Sequence, residues 1–344
     1  MTNGLPTVKG RGTVLNPENR FERLKLEIEP ECYEQAPGLK VKTEYFVDQS
    51  REILAKNTSP DVPFTYSLNP YRGCEHGCIY CYARPTHEYF GFSAGLDFET
   101  KILVKEEAPR LLANRFRRKS WLPQVVALSG NTDCYQPIEK QLQLTRRCLE
   151  VFLQYRNPVS VITKNALVLR DLDLLQDLAG LDLVRVTLSI TTLDPELARK
   201  MEPRAASPKN RLQALQNLAL AGIPTKVNLA PVIPGLTDHE IPAILEQAAA
   251  CGAKRAAYIL LRLPFSVKEL FVAWLQAYFP HRAGKVRHAI QESRGGELSD
   301  ARFGSRLRGE GVRADVIARI FELTCQRLAL NANKIELATE HFRR

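Results

Sequence analysis

Apolar segments alternate regularly with amphipathic segments from Pro63 to about residue 279. Residues 64–68 alternate between apolar and polar side chains, and five later runs are predominantly apolar, as expected for strands. The predicted strands are 63–68, 125–129, 159–163, 183–190, 226–230 and 256–261. The predicted helices are 105–118, 137–154, 167–179, 210–221, 241–251 and 267–278. The pattern therefore predicts six β-α units.

Strands that alternate with helices predict an α/β fold with a parallel sheet, because right-handed crossovers place helices on the faces of the sheet. Six units fit a partial (β/α)6 TIM-like barrel, since a complete eightfold barrel needs about 250 residues. A flat, doubly wound sheet would show the same pattern. In both architectures ligands bind at the carboxyl ends of the strands.

The chain divides into three predicted regions. Residues 1–60 carry turn-forming residues without a sustained period, which predicts an irregular N-terminal arm. Residues 61–279 are the predicted barrel. Residues 280–344 are a basic, glycine-punctuated C-terminal extension that ends in a predicted helix over 313–330. We expect this extension to cap the mouth of the barrel or contact a substrate, or else to be a loop-rich tail held by one helix.

The 344-residue chain is basic, with a formal net charge of +10. This balance is typical of proteins that meet phosphate groups, and also of an incidentally basic surface. No apolar run reaches the roughly 20 residues that span a bilayer, and the N-terminus lacks an apolar secretion segment. We therefore expect a soluble, cytoplasmic protein with no membrane partner, whose eight cysteines stay reduced.

Cys74, Cys78 and Cys81 form a Cys-x3-Cys-x2-Cys motif directly after the first predicted strand. On a helix this spacing would place them on one face, but Gly73 and Gly77 disfavour a continuous helix here. Three thiolates fit an iron–sulfur cubane best, because they hold three irons and leave the fourth free to bind a small molecule.

Two other interpretations of the motif stay open from the sequence. A structural zinc site would need a fourth ligand, for which His76 or His87 is within reach. A disulfide with one spare thiol is disfavoured in the cytosol.

The cysteine motif, with the aromatic Tyr80 before its third cysteine, resembles the cluster motif of the radical S-adenosylmethionine (SAM) superfamily. In that superfamily the motif follows the first strand of a six-unit partial barrel. The resemblance implies an enzyme, whether lyase, transferase or oxidoreductase, with a [4Fe–4S] cluster on Cys74, Cys78 and Cys81 and with SAM as cofactor. It implies that the reduced cluster cleaves SAM to a 5′-deoxyadenosyl radical, which takes hydrogen from a substrate. An electron donor such as flavodoxin or ferredoxin is then implied as a partner.

Polar residues near the predicted strand ends are candidates for binding SAM. Gly130 would let the backbone approach the cofactor closely, and Arg204 could meet its carboxylate as a planar fork. Any one of these groups could be an ordinary solvated strand end, whereas together they form a polar ring at the expected edge. The candidates are Tyr80, Ser129, Gly130, Thr132, Asp133, Lys164, Ser189, Arg204 and Asn228.

Within the superfamily, Thr132, Asp133, Lys164 and Ser189 resemble cofactor-contacting positions of the spore photoproduct lyase-like branch. That lyase returns hydrogen to a thymine radical from a cysteine just after strand two, and the matching position here is Asn131. Cys134 and Tyr135 are the nearby catalytic candidates, as a hydrogen donor or radical relay. The same segment also carries the features of a helix start.

The basic charge and the lyase-like resemblance favour a nucleic acid, DNA or RNA, as the substrate class. A peptide or a phosphorylated metabolite is the alternative. The rival hypothesis is a non-catalytic, zinc-stabilised nucleic-acid-binding protein, in which the cysteines hold zinc and the basic extension binds the nucleic acid.

Overall fold

The computed structural model describes residues 8–22 and 41–344. Its strands are β1 Glu44–Val47, β2 Leu54–Lys56, β3 Tyr66–Leu68, β4 Tyr71–Arg72, β5 Lys101–Val104, β6 Val126–Leu128, β7 Val159–Thr163, β8 Val184–Ser189, β9 Thr225–Val232 and β10 Arg255–Leu260. Its α-helices are α1 Asp97–Thr100, α2 Ala108–Arg117, α3 Glu139–Leu142, α4 Leu144–Tyr155, α5 Leu172–Ala179, α6 Pro195–Met201, α7 Pro208–Leu220, α8 Ile241–Ala250, α9 Val267–Tyr278, α10 Pro280–Glu292, α11 Ser305–Arg308 and α12 Val312–Arg327. Short 3₁₀ helices cover Arg84–Phe90, Ala166–Asp171 and Asp238–Glu240.

The main sheet has seven strands in the order β10-β9-β8-β7-β6-β3-β2. All neighbours from β3 to β10 pair in parallel, and β2 adds an antiparallel strand beside β3. Among the described strands, the edges β2 and β10 do not pair with each other. The six parallel strands confirm the predicted α/β fold, which is an open, partial TIM-like barrel.

The largest hydrophobic core lies around the central strands. Every residue of β6 is buried, and the helices on the outer face add aromatic side chains such as Phe116 of α2 and Phe152 of α4, whose rings meet edge to face. Each such buried ring stabilises the fold by about 1.5–3 kcal/mol. Because these strands are covered on both faces, their sequences are apolar runs rather than alternating patterns.

The N-terminal arm contains two strands that the sequence did not predict; its residues 1–7 and 23–40 lie outside the described residues. β1 is exposed along its whole length and pairs with β5, so it carries no burial pattern. β2 is short and mostly exposed, and it pairs with β3. Backbone pairing alone, which leaves little trace in the sequence, makes these segments strands.

The helix predicted over 137–154 is two helices, α3 and α4, separated by Gln143. Gln143 adopts a left-handed backbone conformation with φ of 52°. Buried hydrogen bonds stabilise the break between the two helices. The Glu139 carboxylate accepts from the Thr145 amide (3.0 Å) and from the Tyr71 hydroxyl (2.5 Å). A long-range contact therefore overrides the local helical pattern.

The C-terminal extension packs on the edge of the sheet. α11 lies against β10, and Arg306 on α11 forms an ion pair with Asp61, in the loop that follows β2. The Gly304 amide also donates to Asp61 Oδ1 at 2.8 Å. The extension thus connects the two edges that the sheet leaves unpaired. No helix in the described parts of the chain is long and apolar enough to cross a membrane.

Candidate active site

A cavity of about 480 Å³ lies at the carboxyl ends of the parallel strands. This volume is within the range of small-molecule sites, about 300–1,000 Å³. Most of the residues singled out from the sequence line it together. They are Cys74, Cys78, Tyr80, Cys81, Ser129, Gly130, Thr132, Asp133, Lys164, Ser189 and Asn228.

The cysteine loop is held by backbone contacts on both sides. The Cys74 amide donates to the Phe98 carbonyl at 2.9 Å, and the Ile79 amide donates to the Met201 carbonyl at 3.0 Å. Between them Gly77 turns the chain with φ of 66°, a conformation that glycine adopts at little cost. The loop therefore presents its three thiols to one cavity from a fixed backbone.

The thiols suit a metal cluster. All three are free of disulfides, Cys74 and Cys78 are buried, and Cys81 is partly exposed. Burial raises the pKa of each thiol, so the thiols do not readily lose their protons to water. A bound metal displaces these protons, because it stabilises the thiolate form. Within the described ranges no three His, Cys, Asp or Glu side chains converge on a single ion. A cubane does not require such convergence, because each thiolate binds a separate iron.

Of the two histidines of the zinc hypothesis, His76 is paired with other side chains and His87 does not line the cavity. His76 Nδ1 lies 3.4 Å from Asp133 Oδ2, and its Nε2 lies 3.3 Å from the Asn165 amide nitrogen. His87 is buried against the rings of Phe92 and Phe98. The contacts of these histidines thus do not supply the fourth ligand that a closed zinc site needs.

The loop after β6 is held by hydrogen bonds within the loop and by close packing against β3. Ser129 Oγ accepts from the Cys134 amide at 2.6 Å and donates to the Thr132 carbonyl at 2.9 Å. A β-carbon on Gly130 would stand 2.8 Å from Ser67 Cβ. The sequence predicts that the Gly130 backbone approaches the cofactor closely, and the close contact seen in the structure is with β3. These contacts fix where Thr132 and the following carboxylate enter the cavity.

Asp133 joins this loop to the end of β7. Its carboxylate accepts from the Thr163 hydroxyl at 2.7 Å and the Lys164 amide at 2.8 Å. Burial raises the pKa of this carboxyl, but the charge and hydrogen bond of His76 and the bonds from Lys164 and Thr163 outweigh burial and hold the pKa below its ordinary value. Asp133 is therefore an anion at the cavity wall.

Lys164 lies in a buried polar network. Its Nζ donates to the Ala230 carbonyl at 2.8 Å and lies 3.4 Å from Glu202 Oε1. Tyr80 and Arg211 both donate to the same Glu202 carboxylate. Burial, followed by the charge of Arg211, lowers the pKa of Lys164 to about 8. Glu202 thereby ties the cysteine loop, through Tyr80, to β7 and α7.

Asn228, on β9, lines this cavity and carries an unpartnered polar atom. Its side-chain oxygen is buried and has no hydrogen-bond partner among the described residues. A buried acceptor without a donor costs about 1–3 kcal/mol, and a bound molecule with amino or hydroxyl groups removes that cost. The donor set of the cavity, three thiols and several strand-end polar groups, thus fits a cluster together with a polar cofactor.

Three predicted site residues do not line this cavity. Arg204 instead forms an ion pair with Glu75 at 2.9 Å, so its fork is already occupied. Cys134 lies in the hydrophobic core, and the Tyr135 hydroxyl donates to Asp171 at 3.0 Å. The chain turns after Asp133 to enter α3, and this turn directs the next two side chains away from the cavity.

Several cavity residues were missed by sequence reasoning. Arg262 lies two residues beyond β10 and could have been found by the strand-end rule. Tyr82 follows the third cysteine directly. Lys56, Ser59 and Arg306 come from the N-terminal arm and the C-terminal extension, and no local pattern marks them as neighbours.

Comparison with known proteins agrees with this geometry. The sequence profile of the Radical SAM superfamily matches residues 68–248. The uncharacterized protein Rv2578c of Mycobacterium tuberculosis is 38% identical over 244 residues, which cover 69% of this chain and 72% of that protein. The FeMo cofactor biosynthesis protein NifB of Chlorobaculum tepidum is 26% identical over 229 residues, 62% of this chain and 50% of that one.

Among solved structures, spore photoproduct lyase complexed with dinucleoside spore photoproduct matches with a TM-score of 0.58 and 16% identity, over 83% of this chain and 78% of that one. This likeness shows the fold, a partial TIM-like barrel. The chain therefore belongs to the radical SAM superfamily, as an enzyme whose cofactors are a [4Fe–4S] cluster and SAM.

Proposed function

We propose that Cys74, Cys78 and Cys81 hold the [4Fe–4S] cluster and that the adjoining cavity binds SAM, so that the chain performs radical chemistry on a nucleic-acid substrate. The observation that carries this proposal is the meeting of three free thiols and the polar strand ends, including the unpartnered oxygen of Asn228, in one cavity. The cluster, when bound, supplies the electron that cleaves SAM to a 5′-deoxyadenosyl radical.

The chain's own residues bind and orient the cofactor. The anionic Asp133 and the amide oxygen of Asn228 are acceptors for the amino groups and hydroxyls of SAM. Lys164, fixed by Glu202, supplies a positive charge on the same wall. Tyr80, Ser129, Gly130, Thr132 and Ser189 complete the proposed contacts.

Apolar side chains from the sheet and from the loop between β2 and β3 form part of the cavity wall. Phe64, Ile162, Ile259 and Leu260 line the cavity together with Val62. A reactive carbon radical takes hydrogen from whatever donor it meets, so an apolar wall, which leaves fewer places for water to bind, favours the intended substrate.

A nucleic acid is the substrate class that the charge distribution supports best. Lys56, Arg262 and Arg306 reach the cavity from three different segments, in a chain of net charge +10. One structural neighbour is complexed with a dinucleoside, which is a ligand of this class. A peptide or a phosphorylated metabolite is the alternative. The donor role for Cys134 and Tyr135 is not carried forward, because neither residue reaches the cavity.

The proposal is tested by reconstituting the cluster without oxygen, adding reductant and SAM, and measuring 5′-deoxyadenosine. Wild type should form it slowly even without substrate, and Cys78→Ala should not. Cys251→Ala is the matched control, since Cys251 lies outside the cavity at the end of α8. Equal yields from Cys78→Ala and wild type would refute the assignment of the cluster loop.

A further inference from the structure

Arg262 is a cavity residue without a counter-ion. Within the described residues its guanidinium forms no hydrogen bond and no ion pair, and its Nε is buried without an acceptor. Its ring contact is with Tyr82, whose centroid lies 5.7 Å from the guanidinium carbon. A cation held partly out of water without an anion is unfavourable, so an anion that enters the cavity and pairs with Arg262 lowers the free energy of this side chain.

The carboxylates nearest to Arg262 are engaged by other groups. Asp61 pairs with Arg306 and accepts from the Gly304 amide. Asp300 pairs with Arg302 at 3.1 Å and accepts from the Ser305 hydroxyl at 2.5 Å. Burial, and next the positive charge of Arg306, lower the pKa of Arg262, while the negative charges of Tyr82, Asp61 and Asp300 oppose that shift.

Arg262 lies at the seam between β2 and β10, the two unpaired edges of the sheet. Lys56 ends the edge strand β2, Arg262 follows the edge strand β10, and Arg306 lies on α11, which connects the two edges. The cysteine loop and the residues proposed to bind SAM lie instead on the central strands and beside β3. The seam is therefore the side of the cavity where we expect the substrate, rather than the cofactor, to bind.

We propose that Arg262, with Lys56 nearby and with Arg306 already paired to Asp61, binds a phosphate group of the substrate at this seam. The inference rests on the proposed function and adds the place where the nucleic-acid backbone enters the cavity. A guanidinium presents paired N–H donors that match phosphate oxygens, whereas Lys56 contributes a point charge. Tyr82, exposed by 46%, offers a ring face beside the phosphate on which a base can stack.

The test is the binding of a fluorescein-labelled, single-stranded DNA 12-mer to the reconstituted holoenzyme with SAM, followed by fluorescence anisotropy. Arg262→Ala should weaken binding about tenfold or more, because it removes charge-assisted hydrogen bonds to phosphate. Arg262→Lys, which keeps the charge but loses the fork, should give an intermediate loss. Arg319→Ala is the matched control, since Arg319 is exposed on α12, lies outside the cavity and involves the same change of charge.

Competition shows whether the phosphate group itself is recognised. Unlabelled thymidine 5′-monophosphate should displace the 12-mer from wild type better than thymidine does, and Arg262→Ala should abolish that difference. Unchanged binding by a folded Arg262→Ala variant, or equal competition by thymidine, would overturn the inference. Absence of 5′-deoxyadenosine from wild type would instead contradict the proposed function, so the two failures are distinguishable.

Discussion

The backbone of Gly12 packs directly against the carbonyl group of Gly77, in the middle of the cysteine loop. A β-carbon added to Gly12 would stand 1.8 Å from the Gly77 oxygen. The Gly12 amide also donates to Glu99 Oε2 at 2.8 Å. The N-terminal arm thus covers the loop that is proposed to hold the cluster.

Gly12→Ala should therefore loosen the cysteine loop. Either the arm or the loop must move, at a cost of about 1–3 kcal/mol in the free energy of unfolding, as in other overpacked sites. The iron retained by the reconstituted protein after gel filtration should fall accordingly. Gly284→Ala is the control, because a β-carbon on Gly284 meets nothing within 4 Å. Equal iron retention in the two variants would show that the arm does not support the loop.

Breaking the Arg84–Glu99 ion pair beneath this loop should lower the free energy of unfolding more than breaking a surface ion pair does. The pair is fully buried, with Nη2 and Oε1 2.5 Å apart, and Arg84 also donates to the Cys78 carbonyl at 3.0 Å. Glu99→Gln leaves a buried guanidinium without its anion and should lower the free energy of unfolding by about 3–5 kcal/mol in urea titrations. Glu107→Gln, which breaks the exposed pair with Arg110, should change it by less than about 1 kcal/mol. Similar losses for both variants would contradict this account.

His87 should make stability depend on pH. Burial lowers its pKa to about 4 from the ordinary 6.5, so the folded protein holds the ring neutral. The contribution is complete above about pH 6.5 and is lost as the pH falls through 4, because the unfolded chain binds the proton first. The full contribution of His87 to the free energy of unfolding, lost over this pH range, is roughly 3 kcal/mol.

His87→Phe removes this titration while filling the space between Phe92 and Phe98. The free energy of unfolding of the variant, minus that of wild type, should rise as the pH falls from 6.5 to 4. His281→Gln, which replaces a histidine exposed on α10, is the control variant. A difference that stays constant over this range would exclude His87 as the titrating group.

Asn228→Ala should weaken SAM binding by about three- to tenfold, since it removes one neutral hydrogen-bond acceptor from the cavity. Equilibrium dialysis of the reconstituted protein with labelled SAM measures this directly. Asn210→Ala, on the exposed face of α7, is the control. Unchanged affinity in Asn228→Ala would remove Asn228 from the proposed site.

Much of the barrel could be predicted because parallel strands are continuous apolar runs. The strand predicted over 159–163 is β7 itself, and the strand predicted over 183–190 differs from β8 by one residue at each end. The cysteine motif could be recognised from its fixed spacing. The strand-end residues could be predicted because the carboxyl ends of parallel strands lie at one edge of the sheet.

What could not be predicted depends on contacts between distant segments. Asp61 and Arg306 meet across the open seam although 245 residues separate them, and no local pattern records the pairing. Gln143 breaks a helix because Glu139 binds groups outside the helix. Cys134 stands beside a cavity residue in sequence, yet a single turn directs it into the core.

The central claim is that Cys74, Cys78 and Cys81 hold a cluster to which SAM binds. Electron paramagnetic resonance of the anaerobically reconstituted, reduced protein, recorded with and without SAM, tests it most directly. The account predicts about four irons and four sulfides per chain, and a [4Fe–4S] signal that changes when SAM is added and is absent from the Cys74→Ala, Cys78→Ala, Cys81→Ala triple variant. Zinc without iron in wild type, or the same signal in the triple variant, would contradict it.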